Sequence, residues 1–214
     1  MCCCRVVAGD QSCSRSMMST EEGKKEDKRG EDKKEDSASA LLDSLIEYFP
    51  SLVSKEKCTS LWSELNPHFP SQRSKTKIFG KECTIPRDQM VAFFDEQQIP
   101  QEYIYSGHKV PKIELSCAPS VLELKTMLDE KFQVKFNFVL VNRYQTEQDG
   151  VGWHSDNEKI IDQRYPIVSV SLGGPRRFDL RLKRSPKTKK QQVLKNGDVV
   201  VMKGKNDTIC GSSC

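Results

Sequence analysis

Residues 134–144 alternate in a way few architectures can use. Val134, Phe136, Phe138, Leu140, Asn142 and Tyr144 fall on one side of an extended chain, and Lys135, Asn137, Val139, Val141 and Arg143 on the other. A period of two marks a strand with one face turned to a core. Shorter runs follow at 167–172, at 177–182, where Phe178, Leu180 and Leu182 share a face, and at 198–202. Gly173-Gly174-Pro175 and Asn196-Gly197 punctuate them. Short strands joined by tight turns call for an antiparallel core, a jelly roll or a barrel. Helical spacing precedes it at 39–48 (Leu41, Leu42, Leu45, Ile46) and at 54–65 (Leu61, Trp62, Leu65), with His68 in the turn beyond. A further helix is expected at 120–131. The fold class is therefore mainly β with N-terminal helices (α+β).

A chain of 214 residues suits one domain and a tail, and its apolar residues concentrate after about residue 76. No stretch approaches the roughly 20 apolar residues that span a bilayer, and residues 1–10 hold no signal-type apolar core, so no membrane partner is expected. Nine cysteines without a secretory signal read as free thiols in a reducing compartment. Cys2, Cys3 and Cys4 lack the paired spacing of a zinc site, and no second anchor accompanies them as palmitoylation would need. Residues 21–36 mix both charge signs with nothing to bury, so 1–38 reads as a disordered tail; Lys24-Lys25 and Lys33-Lys34 leave a nuclear-import reading open. Residues 176–195 hold nine Lys and Arg against Asp179 alone. Such a run either neutralises a phosphate backbone or solvates a loop.

Within that frame one triplet carries chemistry. In His154-Ser155-Asp156 the donors stand at i and i+2 of an extended segment, pointing to one side. An imidazole and a carboxylate are two-thirds of the facial triad of non-haem Fe(II) oxygenases. The bland alternative is a surface histidine beside a turn carboxylate. Asn142 and Tyr144, on the inward face of the best strand, offer neutral hydrogen-bonding groups for an acidic co-substrate, and Gly150 and Gly152 let the backbone turn tightly between them and His154. No histidine follows His154; His68 and His108 lie upstream, and His108 is expected to be exposed.

These residues resemble the AlkB family of Fe(II)/2-oxoglutarate dioxygenases, especially its eukaryotic nucleic-acid demethylases. The likeness runs through Phe136–Tyr144 (FNFVLVNRY), Gly152–Glu158 (GWHSDNE), Ile78-Phe79-Gly80-Lys81, Pro86-Arg87, Glu102–Gly107 (EYIYSG), Ile167–Leu172 (IVSVSL), Arg177-Phe178 and Gly197–Lys203 (GDVVVMK), over residues 76–204. The resemblance implies a double-stranded β-helix with Fe(II) at one end. It makes His154 and Asp156 metal ligands and catalytic residues, and has Asn142 and Tyr144 hold 2-oxoglutarate. It assigns Phe79 as a wedge in the base stack, Tyr103, Ser106 and Glu158 to the pocket of a flipped base, and Arg87 and Arg177 to phosphates. The implied reaction is oxidative demethylation of N-alkylated bases, releasing formaldehyde.

The family also carries a second metal histidine, then arginines for the distal carboxylate of 2-oxoglutarate, beyond the strand corresponding to 198–202. Here the chain continues as KGKNDTICGSSC and has neither. The expected division is thus a tail (1–38), a short helical segment (39–75), an AlkB-like domain (76–204) lacking closing strands at its C-terminus, and a divergent tail (205–214). Lost closing strands should leave unpaired edges. The chain is expected to be a shortened form of a DNA alkylation-repair enzyme, inactive or nearly so, monomeric, and resident in the nucleus or the cytoplasm. The alternatives are a non-catalytic nucleic-acid-binding or regulatory form, and a different β-barrel in which the triplet is incidental.

Overall fold

The structure, a computed structural model, describes residues 2–7, 28–78, 80–94, 102–105, 108–156, 161–162, 164–203 and 209–213. Two antiparallel sheets face each other. The larger joins β1 (Cys2–Val7), β2 (Ile46–Phe49), β5 (Asp88–Phe93), β8 (Phe138–Arg143), β10 (Ile167–Leu172) and β13 (Val199–Met202) in the order β2-β13-β10-β1-β8-β5. The smaller joins β9 (Val151–His154), β11 (Arg176–Leu182), β12 (Ser185–Leu194) and β14 (Ile209–Ser213) in the order β12-β11-β14-β9. Two hairpins flank them, β3 (Lys75–Ile78) with β4 (Lys81–Thr84), and β6 (Tyr103–Tyr105) with β7 (His108–Val110).

Side-chain alternation along the larger sheet feeds two cores. Val139, Val141, Val168, Val170, Val199 and Val201 point to one side and pack on Leu61, Leu65, Val121, Leu124 and Leu128 of two helices, α2 (Lys55–Leu65) and α3 (Pro119–Phe132). Phe138, Leu140, Ile167, Val200 and Met202 point the other way, between the sheets, against Phe178, Leu180, Leu182 and Ile209. Helices, larger sheet and smaller sheet thus form three layers, the mainly β jelly roll that the strand pattern predicts. Because both faces of the larger sheet are covered, its strands are buried throughout, as β8 shows up to its last residue.

Local signals set the helix ends. Ser54 caps α2 by accepting from the Lys57 amide at 3.2 Å. Glu64 then accepts from the amide and hydroxyl of Ser120 at 2.8 and 2.6 Å, tying α2 to the start of α3. Gly197 is required where it stands: its φ is +85°, and a Cβ there would lie 2.2 Å from the Val53 carbonyl oxygen. Next to it, Asp198 accepts from Tyr48 Oη (2.6 Å), Lys195 N (2.8 Å) and Ser51 N (2.9 Å). Burial opposes ionisation of Asp198, but these donors outweigh it and hold the carboxyl below its usual range. The same bond pushes the Tyr48 phenol up to about 12.

Several expectations change. The strand expected at 134–144 begins only at Phe138; Val134 and Phe136, ahead of it, sit in the helix-side core, while Phe138 faces the other sheet. Residues 39–48 divide between the end of a helix, α1 (Lys28–Ser44), and β2. Cys2–Val7, read as tail, is a strand inside the larger sheet, and 209–213 is a strand inside the smaller one. Neither sheet is therefore open in the middle. The basic stretch after Arg184 is not a loop but β12, paired along β11. His108 is buried at 8% exposure, because the hairpin that carries it packs its alternate residues inward.

Candidate metal and co-substrate site

β9 runs from Val151 to His154, with Gly150 before it and Gly152 within it, and pairs with β14. His154 is half-buried; its Nδ1 lies 2.8 Å from the Gly152 carbonyl oxygen. A carbonyl can only accept, so Nδ1 donates in this contact, which leaves Nε2 as the nitrogen directed at Asp156. Asp156 is buried beyond the strand end, with Oδ1 3.5 Å from His154 Nε2. Two metal bonds of roughly 2.1 Å reach donors up to about 4 Å apart, so one cation can take both. Among the described residues, no third His, Cys, Asp or Glu joins them to form a metal-holding group.

The larger sheet offers a polar stripe on its inner face. Asn142 is buried and accepts from Gln89 Nε2 at 2.8 Å, as their cross-strand register directs. In β10 the serines of IVSVSL alternate with valines, so Ser169 and Ser171 face inward while Val168 and Val170 face the helices. Ser169 Oγ and Gln89 Oε1 find no hydrogen-bond partner among the described residues. Buried polar atoms without a protein partner mark where a polar ligand or water is accommodated. Tyr144, just past β8, is buried under the Arg176 guanidinium, 4.1 Å from its ring centre.

Asp149 organises the turn between these two sets. It receives both terminal nitrogens of Arg73 at 2.6 Å and the amides of Gln145 (2.6 Å) and Thr146 (3.0 Å), and its carbonyl accepts from Arg176. The Arg73 guanidinium is the main reason its carboxyl is held well below the usual range.

The other residues singled out in the sequence are spread more widely. Arg87 is buried, 5.7 Å over the Tyr105 ring. Tyr103 packs edge-on against Phe93 at 6.0 Å and tilted on Phe138 at 5.9 Å. Arg177 lies on the outer face of β11, opposite the inward Phe178, and pairs with Asp179 at 3.2 Å. Phe79, Ser106 and Glu158 lie outside the described residues. The sequence reading does not pick out Arg73, Gln89, Asp149, Ser169 or Ser171, and it takes Arg176 only as part of the basic run, whereas the structure lays Arg176 over the Tyr144 ring. For the serines the signal was available: two polar residues at period two in an otherwise apolar strand. Arg73 and Asp149 carried none, since their pairing spans 76 positions.

Comparison with known proteins bears on the family and the fold. The profile of the 2OG-Fe(II) oxygenase superfamily matches residues 46–209. The chain is 30% identical over 183 residues to the DNA oxidative demethylase ALKBH2 of Arabidopsis thaliana, covering 73% of this chain and 56% of that protein. It is 34% identical over 140 residues to the ALKBH2 of Mus musculus, 63% of this chain and 55% of that one. To the alpha-ketoglutarate-dependent dioxygenase alkB homolog 3 of Bos taurus it is 35% identical over 94 residues, 40% of this chain and 33% of the relative. The chain thus spans about half the length of the ALKBH2 relatives it matches. The structure of OsALKBH1 superposes with a TM-score of 0.50 at 17% identity, covering 79% of this chain and 84% of that one, a likeness of fold. The profile covers most of the chain and the relatives are AlkB homologues, so the chain belongs to the 2OG-Fe(II) oxygenase superfamily, among its AlkB-like members.

Proposed function

We propose that this chain is an oxidative demethylase of N-alkylated bases in nucleic acid, acting in DNA alkylation repair at low activity. The observation that carries the reading is the His154–Asp156 pair, with Nδ1 held by the Gly152 carbonyl and Nε2 3.5 Å from the carboxylate. Superfamily membership brings Fe(II) and 2-oxoglutarate as cofactors. The residues fit them unevenly. The inner polar stripe suits an acidic co-substrate, with Asn142 and Tyr144 as its holders. The metal site supplies two protein donors where a facial triad has three, so the described set falls short of the iron's usual coordination. Low activity follows from that shortfall.

The substrate side of the proposal rests on charge. Residues alternating outward on β11 and β12 include Arg177, Arg181 and Lys189, a cationic face suited to phosphates. Arg87 and Arg177 are assigned to phosphate contact, Tyr103 and Ser106 to the base pocket with Glu158 beside it, and Phe79 to the base stack. Nucleus and cytoplasm, and a monomeric state, belong to the same proposal; imaging of the tagged chain and light scattering test them. A non-catalytic nucleic-acid-binding role is the second reading, favoured by the same cationic face.

Formaldehyde release from N-methylated single-stranded DNA, supplied with Fe(II) and 2-oxoglutarate, decides between them. The expected result is slow release that vanishes in His154→Ala. Release that survives His154→Ala overturns the site, and complete absence of release with DNA binding intact favours the second reading. Fast turnover overturns the low-activity part.

A further inference from the structure

Gln89 is a carboxamide in a strand, β5, whose every residue is buried. Burying such a group costs free energy unless its polar ends are satisfied. The register gives it one partner. Gln89 stands directly opposite Asn142 of β8, and its Nε2 donates to Asn142 Oδ1 at 2.8 Å, with both residues buried. Paired residues of antiparallel strands lie about 5 Å apart and point to the same face. Gln89 Oε1 finds no partner among the described residues, so the contact satisfies only half of Gln89 itself. Its larger effect falls on Asn142.

A carboxamide has one acceptor end and one donor end. Gln89 takes up the acceptor end of Asn142, so the Nδ2 amide, with its two N–H groups, is the end turned away from Gln89. A terminal amide torsion is soft, and an asparagine without such a neighbour can present either end. A carboxylate only accepts, and N–H donors facing it form charge-assisted bonds, whereas a carbonyl there would repel it. We propose that Gln89 is a positioning residue, fixing the Asn142 amide with its N–H groups toward an acidic co-substrate. The inference rests on the reading of Asn142 as a holder of that co-substrate. Gln89 acts through Asn142 and needs no contact of its own with the ligand. The charged neighbours of the pair are Asp88 and Arg143, one register step away, where alternation puts them on the opposite face. They pair with each other at 2.9 Å, so their charges offset.

Nuclear magnetic resonance of the full chain, titrated with 2-oxoglutarate and no added metal, tests this without turnover. The side-chain amide resonances of Asn142 are the readout. In wild type they are expected to move saturably as 2-oxoglutarate is added. Gln89→Glu at about pH 8.5 puts a carboxylate opposite Asn142, which draws the N–H groups toward position 89 and should weaken binding roughly tenfold or more. Burial raises the pKa of such a carboxyl, so it takes up a proton as the pH falls to about 6 and regains a donor. Affinity should then return toward that of wild type at the same pH, a recovery that a merely structural role would not produce. Gln89→Met, which keeps the bulk and lacks the donor, should bind weakly at both pH values. A Gln89→Glu chain that binds like wild type at the higher pH overturns the proposal, as does a loss that persists at the lower one. Absence of a saturable shift at Asn142 in wild type, or an Asn142→Ala chain that binds 2-oxoglutarate as wild type does, instead overturns the underlying reading of Asn142.

Discussion

Asp149 ties Arg73, the 145–146 turn and Arg176 together. Its carboxylate holds Arg73 and two turn amides, and its carbonyl holds the arginine that covers Tyr144. Asp149→Asn leaves the partly buried Arg73 without its counter-charge and is expected to cost on the order of 3 kcal/mol, measured by urea unfolding. The pH dependence has a definite sign. A carboxyl with a folded pKa below its unfolded value of about 4 contributes fully above that value, and loses the contribution as pH falls through the folded one. Wild-type stability should therefore hold from neutrality to about pH 4 and then fall on this account, while Asp149→Asn lacks that acid limb. At this scale legibility was uneven. The burial of Asn142 and the approach of His154 to Asp156 were readable because strand period and i, i+2 spacing are local properties. Asp149 was not, because its meaning comes from Arg73, which only folding brings near. His108 was misread for the same reason: a polar neighbourhood in sequence became a buried hairpin position.

Among the elements, β1 has the largest consequence for its size. Six residues separate β8, which carries Asn142, from β10, which carries Ser169 and Ser171, and they pair with both. Without β1 the larger sheet would divide into β2-β13-β10 and β8-β5. A proline in a central strand removes a ladder donor, so Val6→Pro should cost about 3 kcal/mol or more and raise hydrogen exchange at the amides of β8 and β10 together. Loss of protection confined to β1 itself would sink the idea that it holds the two halves together. The helical layer gives an independent check. Leu128 is fully buried between α3 and the larger sheet, and Leu128→Ala is expected to lose about 2–5 kcal/mol. Helix spacing at 54–65 and 120–131 was legible because it repeats every turn. Residues 2–7 were not, since nothing in CCCRVV names a partner, and strand pairing is long-range information.

For the whole molecule, the division of charge follows from the sheet. Along β11 the inward Phe178, Leu180 and Leu182 force Arg177, Asp179 and Arg181 outward, and Arg181 lies 4.2 Å over the Trp153 ring, with Lys189 6.0 Å from it. DNA affinity should therefore fall linearly on a log–log plot against salt, by a slope of about 0.7 for each phosphate neutralised on a single strand. Arg181→Ala should make that slope shallower; an unchanged slope removes this face from the binding account. Alternation and turn residues by themselves determined a jelly-roll core, and the ordered motifs from 76 to 204 carried the resemblance to the superfamily, because those signals are written within a few residues of one another. The tertiary structure alone decided that Cys2–Val7 joins the two halves of the larger sheet, that Asp149 pairs with Arg73, and that Gly211 stands opposite His154. Each of these joins segments far apart in the chain, and only the packing of one sheet against the other brings them together.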